Sequence, residues 1–248
     1  MAFDTGVLSA IFKRELRSYF ATPLALVFLV FFLVVNGFFT FKLGGFYDVG
    51  QADLRAFFVW HPWLYLFIVP AVSMRSWAEE RRSGTIELLL TLPVSLFEAA
   101  LGKFLAGWVF LGVALLLTFP MVLTVSYLGD PDMGVIISSY IGSFLMAGTF
   151  LAIGCGVSAL TDSQVVSFVI ATAICLVLIL LGFDPVVAMM LDVLPPGMVR
   201  SLTALSFPTH FESIQRGVLQ ITDFIYFVSV MLYSLLAGVI IIDRKKAD

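Results

Sequence analysis

The sequence has little charge for its length. Only 12% of its 248 residues are Asp, Glu, Lys or Arg, whereas 60% are apolar, and the mean hydropathy is +1.05. A soluble domain usually contains about 25% charged residues. One aqueous core cannot bury so much apolar surface, so the composition argues against a soluble enzyme and against a disordered protein.

Cations, cysteines and histidines are also scarce. The net charge is −3 and the pI is near 5.3, so the chain has no basic surface for nucleic acid. Cys155 and Cys175 lie in apolar runs, which favours small buried side chains over a disulfide. His61 and His210 are far apart, and no H-E-x-x-H pattern occurs. We therefore expect no catalytic residue and no metal site.

Long apolar runs dominate what is present, and six of them can cross a bilayer as helices of about 20 residues. These predicted spans are 23–41, 57–74, 104–128, 133–160, 165–183 and 224–242. The prediction is an all-α membrane protein with six transmembrane helices, forming one domain over 1–248.

Lysine and arginine in the flanks set the predicted orientation. Ten of them lie on the side that holds both termini: Lys13, Arg14, Arg17, Arg75, Arg81, Arg82, Lys103, Arg244, Lys245 and Lys246. Four lie on the other side: Lys42, Arg55, Arg200 and Arg216. Because cytoplasmic flanks are rich in cations, both termini are predicted to be cytoplasmic, in a multi-pass protein of the bacterial inner membrane.

Residues 6–20 form an amphipathic pattern rather than a span. Apolar side chains such as Leu8 and Ile11 recur at helical spacing, while Lys13, Arg14 and Arg17 take the other side. This pattern favours a helix in the membrane interface, with its cations near lipid phosphates. The alternative is a charged flank that only sets orientation. The same charges break the first apolar run, so we expect no cleavable signal peptide here.

The predicted spans offer no energy source of their own. Their apolar cores contain no Asp, Glu, Lys or Arg, whereas ion-coupled carriers need ionisable groups at membrane depth. A phosphate-binding loop is missing too, because Gly102-Lys103 is followed by Phe104 and residue 97 is Phe97 rather than Gly. Any nucleotide hydrolysis that powers this protein is expected in another chain.

The fourth span carries a strip of small residues. Gly148, Ala152 and Gly156 recur every fourth position, so they share one helix face and allow another helix to approach closely. The partner is either a neighbouring span of the same chain or a second protomer, and the spacing leaves both open.

The loop after the second span breaks one helix and starts another. Dense charges at 79–82 would extend the second span into water, and Gly84 would interrupt it. Thr85 can cap the next helix, and Glu87 lies in its positive first turn.

The short helix predicted after Gly84 is strongly apolar on one side. Ile86 and Leu88 to Leu90 form that side, and Pro93 limits the helix. Such a helix can dock in a groove of a partner protein or lie on the bilayer surface.

These residues carry a family resemblance. The run Glu79–Ser95 resembles the signature of ABC type-2 exporter permeases, in which an acidic–basic cluster precedes Gly-Thr-x-Glu-x-Leu-Leu and a proline. The order of an interfacial elbow helix, six spans and an extended outer segment before the sixth also matches. The segment Leu205–Gly217 resembles the gliding-motility-type branch of that family. Permeases of nitrous-oxide-reductase maturation systems are more distant candidates.

The resemblance implies a subunit that pairs with a second permease protomer and binds two copies of a cytoplasmic ABC ATPase. ATP and Mg would be bound by that ATPase, and this chain would bind no cofactor. The segment 79–98 would form the coupling helix and its flanks. The implied contact residues are Glu79, Glu80, Arg81, Arg82, Gly84, Thr85 and Glu87. Each charge has the alternative of a solvated group that only orients the loop, and the turn 161–164 is either a second contact or a plain polar turn.

The outer segment 184–222 is too long for a simple turn. Its first apolar run, 186–194, is too short to span, and Pro195-Pro196-Gly197 breaks the chain. We expect short helices at the outer interface. They would gate an exit, seat a periplasmic auxiliary subunit or merely cover the ends of the spans.

The function predicted from these features is a permease subunit of an ATP-driven exporter-type complex, without enzymatic activity of its own. The alternative is a mechanotransmitting or scaffolding subunit that acts on a periplasmic or cell-envelope partner without moving a substrate. A third class, an intramembrane enzyme, would be active as the isolated chain.

Overall fold

The computed structural model of the chain is built from α-helices. It describes residues 4–48, 50–91 and 94–245, apart from the side chains at 24 and 88–90. Within this part the helices are α1 (Thr5–Ala21), α2 (Pro23–Phe38), a π-helical turn (Phe39–Leu43), α3 (Arg55–Phe58), α4 (His61–Ser73), α5 (Arg75–Arg82), α6 (Thr85–Thr91), α7 (Leu96–Leu116), α8 (Pro120–Leu128), α9 (Met133–Ser158), α10 (Gln164–Leu180), α11 (Asp184–Val193), α12 (Pro196–Thr203), α13 (Phe207–Gln215) and α14 (Ile221–Arg244). Lys246 and Pro93, which entered the predictions above, lie outside the described residues.

Among the residues that the structure describes, five helical stretches are long and apolar enough to cross a membrane, and the number rises to six if one bent pair counts as a single span. That pair is α10 and α11, which meet at an angle of 73°. The all-helical multi-pass prediction is confirmed at this level. Helices also occupy the predicted elbow and the outer segment, where α11, α12 and α13 are short.

The third helical stretch differs most from its prediction. It begins at Leu96 rather than Phe104 and breaks after Leu116, three residues before Pro120 starts α8. Ser95 and Glu98 explain the early start, because each side chain accepts a hydrogen bond from the other residue's backbone N–H in a capping box. Lys103 therefore lies inside a helix rather than in the preceding loop.

α9 lies at the centre of the bundle. It packs against α4, α7, α10, α13 and α14, and most of its length is buried. The closest approach to α4 is at Gly154, where a Cβ atom would meet the Ser73 hydroxyl. Cys155 on α9 and Cys175 on α10 are buried and unpaired, as the sequence predicts.

The bundle has two distinct ends. At one end, Arg14 lies near Glu80, Arg81 lies near Asp162, and the Lys245 Nζ donates to the carbonyl of Leu160. We call this the terminal end, because Ile11 of α1 and Ile242 of α14 belong to one buried apolar cluster there.

At the other end, the Ser138 hydroxyl of α9 donates to the Ile214 carbonyl of α13, and the ring of Phe58 meets that of Tyr140. We call this the opposite end. The loop before α3, the start of α9 and the helices α11 to α13 gather there.

Candidate functional site

The segment after α4 changes direction twice at the terminal end. α5 follows α4 after Met74, and it ends where Gly84 adopts φ +72°, the left-handed region that favours glycine. α6 then starts at Thr85, whose hydroxyl donates to the Glu80 carbonyl. The predicted break and the predicted short helix are both present in the described residues.

Four charged side chains meet beneath α5. The Lys103 Nζ lies 2.8 Å from Glu80 Oε1 and 3.2 Å from Glu15 Oε1. Arg14 reaches the same two carboxylates, at 2.7 Å from Glu15 and 3.6 Å from Glu80. We call these four residues the ion cluster. It joins α1, α5 and α7 at one point.

The ion cluster contains two cations and two carboxylates, and it removes the Lys103 ammonium from water. The Lys103 side chain is only 6% exposed and Glu80 is 19% exposed, so each needs a partner inside the protein. The Lys103 ammonium also lies 5.3 Å from the ring centre of Trp77, which is buried on α5. Burial raises the pKa of Glu15, but the neighbouring Lys103 and Arg14 lower it more, so its pKa lies below the ordinary value.

α5 is anchored a second time, to α9. The first N–H groups of a helix have no partner within it, and Met74 supplies no side-chain cap. The Ser158 hydroxyl, at the end of α9, accepts from the N–H groups of Trp77 and Ala78 at 3.1 and 3.0 Å. It also donates to the Met74 carbonyl at 3.0 Å. One side chain thus caps α5 from another helix.

A third contact ties α5 to the turn between α9 and α10. Arg81 is mostly buried and lies 3.7 Å from Asp162. The turn at 161–164, for which the sequence leaves two roles open, is therefore in contact with the coupling segment.

The remaining predicted contact residues face outward. Glu79 is 55% exposed and lies 4.0 Å from Arg75 on its own helix. Arg82 and Glu87 are exposed and form no salt bridge with any residue that the structure describes. Gly84 and Thr85 are exposed as well.

The predicted set therefore divides by geometry. Glu80 and Arg81 have partners inside the chain, whereas the outward group consists of Glu79, Arg82, Gly84, Thr85 and Glu87. The outward group is exposed and therefore available to contact another protein, and it lies on α6 and on α5, which is in contact with α1, α7 and α9.

The segment α5–α6 lies within a region of the chain that matches a known protein family. The family model for ABC-2 family transporter proteins matches residues 64–242, from the first turn of α4 to the last turn of α14. The chain belongs to this family. Among curated proteins no significant match to the chain was found.

ABC-2 family membrane domains are transport permeases, and they generally pair with an ATPase subunit and form dimers. The matched residues include the coupling segment and the whole outer segment. The ABC-2 protein described here is thus a multi-pass membrane protein and a permease component rather than a catalyst in its own right.

The small-residue strip of this ABC-2 protein lies inside one chain. A Cβ atom on Gly148 would meet the Trp108 indole of α7 and Met231 of α14, and one on Gly156 would lie 2.9 Å from the Ser234 carbonyl of α14. Ala152 between them is fully buried. The strip therefore seats α7 and α14 against α9, and its use as a dimer face stays a prediction.

A buried polar network in the ABC-2 protein has no counterpart in the sequence predictions. His61 Nδ1 lies 2.7 Å from Ser143 Oγ, and His61 Nε2 lies 3.1 Å from the side-chain nitrogen of Asn36. The Tyr65 hydroxyl meets the same Ser143 oxygen at 2.7 Å. All four side chains are buried, so the network joins α2, α4 and α9 without access for a substrate.

Sequence reasoning also missed the role of Lys103 and Glu98. Glu98 accepts from the backbone N–H groups of Asp4 and Ser95, so it links the start of α1 to the start of α7. The S-x-x-E pattern from Ser95 to Glu98 was a readable signal for an early helix start. That start would have placed Lys103 on a helix, but no local pattern indicates its partners on α1 and α5.

Proposed function

We propose that this chain is the permease subunit of an ATP-driven exporter-type complex, coupling ATP hydrolysis in a separate ATPase to export across the membrane. The observation that carries the proposal is the outward group on α5 and α6, held to three other helices by the ion cluster and by Ser158. A docking surface transmits movement only if it is stiffly attached to the spans.

The proposed mechanism is a rigid-body movement. Nucleotide binding closes a pair of ATPase subunits and displaces α6 together with α5. The ion cluster passes that displacement to α1 and α7, and Ser158 with Asp162 passes it to α9 and α10. The spans of two permease protomers then open a path between them.

Orientation and composition of the complex follow from the same proposal. The terminal end faces the cytoplasm of a bacterium, because both predicted ATPase contacts and most cations lie there. The chain crosses the inner membrane six times, since α10, about 26 Å long at 1.5 Å per residue, leads from the Asp162 turn to the opposite end. ATP and Mg are bound by two ATPase copies. The segment 205–217 supports the gliding-motility-type branch.

Charge reversal in the outward group tests the proposal. Arg82→Glu and Glu87→Lys should each reduce the ATPase activity that copurifies with the tagged full-length chain, because both charges are exposed and have no salt-bridge partner in the described part of the chain. Arg200→Glu, an exposed cation at the opposite end, is the matched control and should retain that activity. Unchanged copurification in both outward variants, with normal insertion, would contradict the assignment.

A second candidate function is mechanical work on an envelope partner without cargo. The helices α11 to α13 favour it, because they form a large surface at the opposite end and are fixed to a span. His210 of α13 lies 2.7 Å from the buried Asp223 of α14 and stacks on Tyr226. A reconstituted complex that hydrolyses ATP but moves no candidate cargo would support this function over export.

A further inference from the structure

A cavity at the opposite end lies apart from the segment α5–α6. It has a volume of about 320 Å³. Three separate parts of the chain line it: the loop before α3 together with α3, the start of α9 with the two residues before it, and the last residue of α13. Its volume is at the lower end of the range for small-molecule sites.

The floor of the cavity is apolar. Leu54, Phe58 and Ile136 line it, and each of them is almost entirely buried. An apolar floor favours a ligand with an apolar body, because contact with such a body removes hydrocarbon surface from water.

Charged groups of both signs line the same cavity without neutralising one another. Asp53, Arg55 and Asp132 have no salt-bridge partner among the residues the structure describes. Each carboxylate uses Oδ1 to accept a backbone N–H: Asp53 accepts from Arg55 at 3.1 Å, and Asp132, the N-cap of α9, accepts from Gly134 at 2.8 Å. A ligand cation could therefore be bound by the Oδ2 atoms without loss of either hydrogen bond.

A buried amide in the lining lacks an acceptor. The Nε2 atom of Gln215, the last residue of α13, is inaccessible to solvent and has no hydrogen-bond partner in the described part of the chain. A buried donor without an acceptor is costly. Because the Gln215 side chain lines the cavity, a rotation of its amide would present this donor to a carboxylate or carbonyl oxygen of a ligand. The Arg55 guanidinium in the same lining favours the charged group.

We propose that this cavity binds a small zwitterionic ligand with an apolar body, of the amino-acid or dipeptide kind. The ligand's ammonium lies beside Asp53 and Asp132, and its carboxylate accepts from Arg55 and Gln215. Its apolar body rests on the floor. This inference does not depend on the proposed function, since the site is at the opposite end and needs no ATPase.

Binding of L-leucyl-L-leucine to the purified full-length chain in lipid nanodiscs tests the proposal by titration calorimetry. We expect saturable binding. N-acetylation removes the ammonium and C-amidation removes the carboxylate, so each derivative should bind about tenfold more weakly or worse, as expected for a lost charge-assisted contact.

Two double variants test which residues bind each end of the peptide. Asp53→Asn with Asp132→Asn keeps both Oδ1 acceptors, and it should abolish the preference for the free ammonium only. Arg55→Gln with Gln215→Leu should abolish the preference for the free carboxylate only. Asp192→Asn with Arg200→Gln, exposed in the outer segment, is the control and should leave both preferences intact.

Three results would overturn the proposal. One is the absence of saturable binding to a wild-type chain whose thermal unfolding is cooperative. Another is equal affinity for all three peptides. The third is that both cavity double variants keep the same preferences among the three peptides as the control with Asp192→Asn and Arg200→Gln. Altered copurification of an ATPase would bear on the proposed function and not on this site.

Discussion

Removing the ammonium of Lys103 should destabilise the permease in a way that a second substitution partly reverses. Lys103→Met keeps an unbranched side chain of similar length against Trp77, so the packing of α5 on α7 is largely preserved. What is lost is the charge between Glu15 and Glu80. Those two carboxylates then share Arg14 as their only neighbouring cation within the ion cluster.

The magnitude follows from the distances. At an effective dielectric constant of about 20, charges separated by 2.8 and 3.2 Å attract by about 6 and 5 kcal/mol. Most of this attraction is offset by the cost of taking Lys103 out of water. Removing one partner of a buried pair costs about 3–5 kcal/mol net. We expect about 3 kcal/mol here, because Glu15 and Glu80 retain some exposure and Arg14.

Thermal unfolding of the detergent-solubilised chain measures the effect. A loss of about 3 kcal/mol lowers Tm by about 6–12 °C in a chain of this size. Glu80→Gln in the Lys103→Met background removes the repulsion between the carboxylates, so the double variant should melt above Lys103→Met alone. Lys13→Met, on the exposed face of α1, is the control and should change Tm little. A Lys103→Met variant with wild-type Tm, or a double variant that melts lower still, would refute the reasoning.

Three further predictions concern the same end of the bundle. Gly84→Ala should lower Tm by about 2–8 °C through backbone strain alone, since Gly84 has φ +72° and nothing lies within 4 Å of a Cβ atom there. An unchanged Tm would show that the turn relaxes. Gly156→Leu should lower Tm without changing the oligomeric state in multi-angle light scattering, because the added side chain would clash with α14 of the same chain. Dissociation of a dimer at unchanged Tm would instead place the small-residue strip between protomers. The pKa of Glu15 is depressed in the folded chain, so the contribution of this carboxylate to stability is present at neutral pH and is lost as the pH falls below about 4. Tm of the wild type should therefore fall more steeply with acidification than Tm of Glu15→Gln. Parallel curves of Tm against pH would contradict the assigned role.

The positions of the helices could be read from the sequence because a bilayer requires long apolar runs with satisfied backbones. Local chemistry also marked the turn at Gly84 and the short helix after it. The break between α10 and α11 was readable too, since the fifth predicted span ends at residue 183, but the angle of 73° between the two helices has no signal in the sequence.

The partners of polar residues could not be predicted, because they depend on which helices meet. Lys103 and Glu15 are 88 positions apart, and His61 and Ser143 are 82 apart. By charge alone, Glu80 and Glu87 were equivalent contact candidates. In the structure most of the Glu80 side chain is covered by its neighbours, whereas Glu87 is exposed. The candidate docking surface was therefore predictable as a segment but not as a set of side chains.

A single oxygen atom, in the Ser158 hydroxyl of α9, makes three hydrogen bonds to the start of α5. Deleting that atom, as in Ser158→Ala, would free the first turn of α5 while leaving the hydrocarbon packing of α9 intact. The attachment of α5 to α9 through hydrogen bonds therefore depends on one side chain, whereas the apolar packing of α9 does not involve it. If α6 docks on an ATPase as proposed, this one-atom change would loosen the helix next to the docking segment and leave the apolar interior of the bundle as it is.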